Sequence, residues 1–426
     1  MRALLTAEIV AVGTEMLTPF RIDTNSLFLT RRLNDLGIDV LRKSVVGDRL
    51  DDLVTTVANA CFRADVVLVT GGLGPTADDL TREAVAAALN LRLKEDPEIL
   101  EGLRRRFAKR SNAVMPENNR RQAQVLDGAV VLANPNGSAP GLWIERGEKV
   151  LVLFPGPPRE MEPMFDAHVA PRLARRTGAR RMLRRVIKMA GQAESLIDEI
   201  AAPIYGPFAH GAVPIETTVL AHPGQVELHL SAGGDDQPAM AAALDAAVAA
   251  LTSAIGDSVF STDGRAIEVV LGDALKSRGL TLGVAESCTG GLVSGRMTEV
   301  PGSSIYVRGG VVAYSNDVKT AALGVPAEML ATHGAVSEPV AIAMADGVRR
   351  AVGADVGVAI TGIAGPDGGT PEKPVGTVWF AVAGPGDYRG TLKRVVPGDR
   401  QLIRAWAVMV ALDLVRRALV ESSAKH

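Results

Sequence analysis

Three short β-rich, mostly apolar runs in the first 154 residues each stop at glycine or proline. Glu8–Val12 runs into Gly13-Thr14-Glu15, Val66–Thr70 into Gly71-Gly72, and Val150–Phe154 into Pro155-Gly156-Pro157-Pro158. A strand buried on both faces has no polar side to show, so it reads as a continuous apolar run rather than an alternation. Helical stretches lie between the runs. One covers Asn25 to Leu36 and is stopped by Gly37; another covers Leu80–Leu89, with Asp78 or Asp79 placed to cap it. This pattern predicts a parallel sheet covered on both faces, an α/β fold.

At roughly 100–200 residues per domain, 426 residues imply two to four domains. The α/β pattern fills residues 1–172. Residues 171–182 are basic and poor in large apolar side chains, and read as a linker. The pattern then changes to strand, helix, strand, helix: Arg185–Met189, Ala193–Ile200, Gln225–Leu230 and Ala239–Ile255. This predicts a small α+β domain over residues 183–260. A second α/β domain follows over residues 262–426. Its helices are Ala266–Lys276, Val340–Val352 and about Arg400–Val420, and its strands are Leu282–Ala285, Gly310–Tyr314, Asp355–Thr361 and Thr377–Ala383. The last helix carries a stripe of Ile403, Ala407, Val410, Leu414 and Ala418 at helical spacing.

Composition removes several classes of function. Lys+Arg number 46 and Asp+Glu 48, a net charge of −2, which argues against a protein that coats nucleic acid or anionic lipid. Aromatic residues are 4%, too few for base-stacking platforms. The two cysteines, Cys61 and Cys288, stand far apart, so neither a disulfide scaffold nor a cysteine zinc site is expected. The amino-terminal apolar stretch is short and broken by Glu8, and no run approaches about 18 uncharged apolar residues. A cytoplasmic protein without a membrane span is the expectation.

Two glycine-rich turns concentrate the chemistry. In the last domain the strand ends in Glu286-Ser287-Cys288-Thr289-Gly290-Gly291 and a helix follows over Leu292–Glu299. Glycines allow a tight turn, and amides at a helix start hold an anion or an oxyanion. Ser287 stands where a nucleophile would use them; equally, Ser and Thr are ordinary helix caps. Downstream lie Tyr314 and Lys319, a tyrosine and a base of the kind that a serine hydroxyl needs. Five residues of helix would set them about 140° apart. They therefore do not share a helix face, which disfavours a short-chain dehydrogenase. Tyr314 is expected to end a strand and Lys319 to open the next helix, both facing one cleft. The bland alternative is a core tyrosine and a solvated lysine. Cys288 is a rival nucleophile. The polar loop from Thr361 and Gly362 to Pro374 follows a buried strand, a standard ligand position in an open α/β sheet.

In the first domain the turn reads Thr70-Gly71-Gly72-Leu73-Gly74-Pro75-Thr76-Ala77-Asp78-Asp79. Its glycines could cradle a phosphate, and Asp78 and Asp79 a divalent cation bridging to it. The alternative is one capping and one solvated aspartate. Gly13-Thr14-Glu15, Asn136-Gly137-Ser138 and Pro155–Pro158 are expected at the same crevice.

The runs AESCTGGLVSGRMTEVPGSS, RGGVVAYSNDVK, HGAVSEPVA and TGIAGPDGGTPEKPVG resemble the carboxyl-terminal domain of the CinA family over about residues 265–420. Stand-alone relatives of that domain are nicotinamide mononucleotide (NMN) amidohydrolases. The resemblance implies a serine nucleophile assisted by tyrosine and lysine: Ser287, Tyr314 and Lys319. Thr289, Gly290, Gly291, Thr361 and Gly362 are expected around the substrate, and Arg400, at the start of the last helix, is a candidate phosphate partner whose alternative is a plain exposed arginine. The runs AEIVAVGTE, TNS, LGIDV, TGGLGPTADDLT, PENNRRQA, NPNGSAPG and FPGPPREM resemble the molybdopterin-binding fold of MoaB and MogA, in its amino-terminal CinA version, over about residues 7–170. Met16–Arg21 departs from that pattern. The resemblance implies a metal-dependent ADP-ribose pyrophosphatase, with Mg²⁺ or Co²⁺ on Asp78 and Asp79 and substrate on Gly71, Gly72, Gly74, Thr76, Asn136 and Ser138. The alternative is a molybdopterin-like cofactor-binding or competence-linked adaptor domain without catalysis. The middle domain resembles a KH-like module but lacks the G-x-x-G loop that clamps nucleotides, which favours a structural or dimerisation role over RNA binding. A homodimer acting on small nucleotides in pyridine nucleotide salvage is what the resemblance implies.

Overall fold

The computed structural model describes residues 4–111 and 114–423. The chain divides into two compact units, Met1–Leu183 with Gly233–Met240, and Arg184–Ala232 with Ala241–His426.

The first unit is built on β1 (Thr6–Val12), β2 (Asp39–Val46), β3 (Val66–Thr70), a small pair β4 (Leu93–Glu95) and β5 (Gln124–Leu126), then β6 (Val130–Leu132), β7 (Gly141–Arg146) and β8 (Lys149–Phe154). Its main sheet has the order β2-β1-β3-β8-β7-β6. The helices are α1 (Thr24–Asp35), α2 (Leu50–Arg63), α3 (Thr81–Leu89), α4 (Pro97–Ser111), α5 (Pro158–Met164) and α6 (Ala170–Ala174). The continuous apolar strands are explained by two cores. Val66 and Leu68 enter one core with α1, while Val67 and Val69 enter the other with α2 and α3. On β8, Val152 and Phe154 go one way, Leu151 and Leu153 the other. A period of two with both faces covered leaves no polar position.

Three expectations need correction here. The sheet is parallel only from β2 to β8; β7 and β6 run antiparallel. A six-residue hairpin strand needs no crossover helix, so it adds to the edge. Neither Asp78 nor Asp79 caps α3, whose N-cap is Leu80 with no side-chain bond. Residues 171–182 are not a linker. Leu173 and Thr177 are buried, the Arg172 guanidinium stands 5.8 Å over the Trp143 ring, and Arg176 Nη2 donates to the Glu148 carbonyl at 2.7 Å. The arginine stems supply the packing that large apolar residues would otherwise provide.

The middle of the chain forms β9 (Arg181–Ala190), α7 (Glu194–Phe208), β10 (Glu216–His222), β11 (Gln225–Gly234), α8 (Gln237–Ile255) and β12 (Val259–Ser261), with strand order β10-β11-β9-β12. By length and composition, the helical stretch Gln237–Ser258 is apolar enough to cross a membrane. It also has a buried stripe, Met240, Leu244, Ala247 and Leu251, and Asp245 pairs with Arg185 at 2.9 Å. Those are the marks of an amphipathic core helix.

The remainder comprises α9 (Ile267–Ser277), β13 (Leu282–Glu286), α10 (Leu292–Thr298), β14 (Val307–Val312), α11 (Asn316–Leu323), α12 (Ala327–His333), α13 (Glu338–Val352), β15 (Val356–Gly362), β16 (Thr377–Ala383), β17 (Arg389–Val395) and α14 (Arg400–Ser423). The strand order is β14-β13-β15-β16-β17, with β14, β13 and β15 parallel and the last two antiparallel. Large side chains such as Val284, Ile360 and Phe380 meet α9, α10 and α14 on one face; small ones, Ala285, Ala359 and Ala381, meet α13 on the other. Truncating a core residue such as Met344 of α13 would cost about 2–5 kcal/mol. Four of the stripe residues on α14 are buried as expected, and Leu414 is half-buried.

Candidate active sites

The second unit's site begins where β13 stops. Ser287 follows the last strand residue; its amide donates to the Ile360 carbonyl on β15 at 2.9 Å, fixing the start of the turn against the sheet. Ser287 is 9% exposed and Lys319 1%. Lys319 Nζ lies 3.2 Å from Ser287 Oγ and donates to the Ala313 carbonyl at 2.8 Å and the Tyr314 carbonyl at 3.4 Å. Among the described residues no carboxylate pairs with this amine. Burial pushes its pKa below the ordinary lysine value, because the charged form loses hydration that two carbonyls and a hydroxyl only partly replace. A lysine amine whose pKa is lowered by burial, beside a hydroxyl, is the pairing that can activate a serine.

Tyr314 takes a different position from Lys319. It lies past the end of β14, in the loop before Ser315 caps α11, and is 60% exposed. Its phenol accepts from Arg400 Nη2 at 2.7 Å, and only its carbonyl reaches Lys319. Arg400 Nη1 also donates to the Gly365 carbonyl at 2.9 Å. The guanidinium thus ties the Tyr314 loop to the Gly362–Gly376 loop at the mouth of the site. Thr361 and Gly362 are occupied structurally. Thr361 Oγ1 donates to the Ala335 carbonyl at 2.8 Å, and a Cβ on Gly362 would press on the Val378 side chain at 2.9 Å.

Sequence reading missed two residues of this site. Glu286 is fully buried and accepts from the amides of Gly291, Val293 and Ser294 and from Ser294 Oγ, at 2.8–3.1 Å. It caps α10 from the strand before it, which matches a carboxylate to the positive end of a helix. The Gly291 amide is therefore taken, and the Gly290 amide points to the Ser287 carbonyl at 3.2 Å. Thr289 is buried, with a hydroxyl that meets no partner among the described residues. Arg404, one turn after Arg400, donates to the carbonyls of Cys288 (3.0 Å) and Thr289 (2.8 Å), clamping the turn from α14. An acid directly before the serine and a second arginine at i+4 were the available signals. Cys288 is buried and its thiol pKa is pushed up to about 11, so little thiolate exists near neutral pH.

The first unit gathers its loops at the carboxyl ends of β1, β3 and β8, around a cleft of about 480 Å³. The cleft is lined by Glu15, Asp48, Asp78, Asp79, Ser138 and Glu160, together with Gly71 to Thr76 and the Pro155–Pro158 turn. The three segments expected to converge do so, and the departing Met16 and Arg21 line it as well. Gly71, at φ 102°, is needed because a Cβ there would collide with the Val12 carbonyl. Asp79 Oδ2 accepts from the Thr76 amide at 2.8 Å and from the Thr76 hydroxyl, closing the loop on itself. Arg121 holds the loop from outside, donating to the carbonyls of Thr76 (2.6 Å) and Asp79 (3.2 Å). Asn136 is turned away, its amide on the Arg159 carbonyl at 3.0 Å. Asn25, unassigned in sequence, braces β3 against the Pro155 turn through Thr70 Oγ1 (2.9 Å) and the Gly156 carbonyl (2.7 Å).

Among the described residues no three His, Cys, Asp or Glu side chains are gathered as a closed metal site requires. Mg²⁺ seldom uses such a cage; it is held by one or two carboxylates plus substrate phosphates. Asp78 and Asp79 facing the same cleft as the glycine loop fit that donor set.

These two sites lie in two α/β units, each with a glycine-rich turn at the end of a central strand. Comparison with known proteins agrees: the "CinA C-terminal domain" family matches residues 265–419, and the "Probable molybdopterin binding domain" family matches residues 8–175. A "CinA-like protein" of Koribacter versatilis is 47% identical over 420 residues, covering 97% of this chain and 100% of that one. Another, from Gemmatimonas aurantiaca, is 42% identical, covering 98% and 97%. The crystal structure of the competence/damage inducible protein CihA from Agrobacterium tumefaciens is 40% identical over 36% of this chain and 93% of its own, with a TM-score of 0.35. The molybdopterin biosynthesis enzyme MoaB from Thermus thermophilus is 22% identical over 41% of this chain and 98% of its own, with a TM-score of 0.28. The chain belongs to the CinA family.

Proposed function

We propose that the second unit is an NMN amidohydrolase, and the observation that carries this is the buried Ser287–Lys319 pair. Ser287 Oγ attacks the carboxamide carbon while neutral Lys319 takes its proton. The tetrahedral intermediate collapses, Lys319 returns the proton to the departing nitrogen, and ammonia leaves an ester on Ser287. Water, deprotonated by the same amine, cleaves the ester to nicotinate mononucleotide. Of the turn amides, that of Gly290 belongs to the oxyanion, since Gly290 is exposed and its own turn bond is long at 3.2 Å. Arg400 binds the phosphate, with Tyr314 holding it in place.

We assign to the first unit the hydrolysis of ADP-ribose to AMP and ribose 5-phosphate. Asp78 and Asp79 would hold a divalent cation, Mg²⁺ or Co²⁺, which supplies neutralisation of the pyrophosphate charge and activation of water when bound. The Gly71 amide is taken by the Phe154 carbonyl at 3.0 Å, so the phosphates fall to the amides from Gly72 to Gly74. The scattered carboxylates favour one second reading for this unit, a cofactor-binding or competence-linked adaptor without catalysis. The test incubates purified protein with NMN and, separately, with ADP-ribose plus Mg²⁺ or Co²⁺, following ammonia and AMP. Ammonia release that Ser287→Ala abolishes and Cys288→Ala leaves largely intact supports the amidohydrolase. Undiminished release by Ser287→Ala overturns it. AMP production separates the pyrophosphatase from the adaptor.

A further inference from the structure

The acidic cleft of the first unit has a basic neighbour. A groove of about 530 Å³ runs along α4; among the described residues it is lined by Arg105, Arg106 and Lys109 and by no acidic side chain, the nearest carboxylate to Arg105 being Glu101 at 3.8 Å outside the lining. Ser138 lines both the groove and the cleft, so the two meet at the 134–138 loop. That loop is held from both sides. Arg106 donates to the Pro135 carbonyl at 3.3 Å, and Asn134 Nδ2 donates to Glu160 Oε2, on the cleft side, at 2.8 Å. The opposite signs suit opposite tasks: carboxylates attract a cation, whereas guanidinium and ammonium groups attract phosphate.

The groove also has an apolar floor. Ile99, Gly102, Leu103 and Arg106 follow the i, i+3, i+4, i+7 spacing of one helix face, and Val131, Ala133 and Pro140 add apolar lining from the other side. Gly102 sits mid-helix, where glycine costs about 1 kcal/mol against alanine, and an added Cβ there would meet nothing within 4 Å. The space it leaves open is part of the groove. A flat ring on an apolar floor, with cations at its edge, describes a heteroaromatic base whose sugar carries a phosphate.

We propose that this groove is a nucleoside subsite, and that the first unit prefers pyrophosphate-linked nucleotides bearing an additional phosphate on the outer nucleoside. The proposal rests on the pyrophosphatase reading of the adjacent cleft. In it the base lies on Ile99, Leu103 and Val131, Arg105 and Lys109 hold the extra phosphate, and Arg106 keeps the dividing loop in place.

The experiment compares kcat/KM for ADP-ribose and for its adenosine 2′-phosphate derivative, with Mg²⁺, using the full chain. The wild type is expected to favour the phosphorylated substrate by about tenfold, the worth of one charge-assisted contact. Arg105→Gln with Lys109→Gln, both surface changes, should cut that ratio at least about fivefold. Gly102→Trp, which fills the groove and leaves every charge in place, should raise KM for the phosphorylated substrate. Equal kcat/KM for the two substrates in the wild type, or a ratio unchanged in the double variant, overturns the proposal. If neither compound is cleaved, calorimetric titration of the 2′-phosphate compound decides separately. Binding lost in the double variant supports the groove although the pyrophosphatase reading falls; binding that is absent or unchanged defeats the groove too.

Discussion

The glycine-rich turns after β3 and β13 look alike in sequence and are finished differently. After β13, a buried carboxylate ties down the helix start, an arginine clamps two carbonyls, and a buried amine stands against the hydroxyl. In the proposed mechanism every reacting group of that site comes from the chain itself. After β3, the turn is held by Thr76 to Asp79 and by Arg121, while Asp78 and its neighbours line an open cleft. That arrangement needs something brought in with the substrate. Residue types at a turn announce a ligand site; burial of the groups behind it decides whether the protein alone can do chemistry there.

The largest effect that separates the two is removal of the amine. Lys319→Met should lower NMN turnover by about 10²–10⁴-fold, the usual worth of a general base, and leave ADP-ribose cleavage untouched. Loss of both activities together would mean that the units are not independent. Asp78→Ala with Asp79→Ala should lower AMP production from ADP-ribose by about 100-fold without affecting ammonia release, since a hydrated cation loses its protein anchors. A chelator should reproduce that split in the wild type. If chelation also stops NMN hydrolysis, the contrast between a self-sufficient and a dependent site fails.

Glu286→Ala sharpens the comparison through stability. It strands four donors, one buried and three part-buried, and the second unit should lose about 3 kcal/mol, seen by calorimetry as a lower transition for that unit alone. Smaller still is the pH effect. Burial depresses the Lys319 pKa from its ordinary 10.5. In the proposed mechanism the neutral amine is the base, so kcat/KM for NMN should rise with pH and level off below 10.5, and Lys319→Met should lack that limb. Between the folded and unfolded pKa values the unfolded chain binds more protons, so this group alone makes stability rise with pH through that window.

Much of the fold was legible because it follows from periodicity. Val66–Thr70 and Thr377–Ala383 lie where the apolar runs put them, and helix ends fall within a residue or two at Gly37 and Lys276. Short β12 and the exposed β10, alternating without a clear apolar face, left no such signal. Ser287 and Lys319 could be named from motifs; their proximity across 32 residues depends on how β14 and α11 lie beside β13. Tyr314 shows the limit. Its position in the sequence says nothing of which way the loop turns its ring, and the ring goes to Arg400. Asp78 and Asp79 look like caps because acids precede a helix, yet the Thr76 turn competes for Asp79 and wins.

The most direct measurement is intact-mass analysis of the protein quenched in acid during NMN turnover, followed by peptide mapping. The account predicts a covalent adduct equal to NMN less ammonia, carried on Ser287 and missing from Ser287→Ala. An adduct on Cys288, or full turnover by Ser287→Ala, would contradict it.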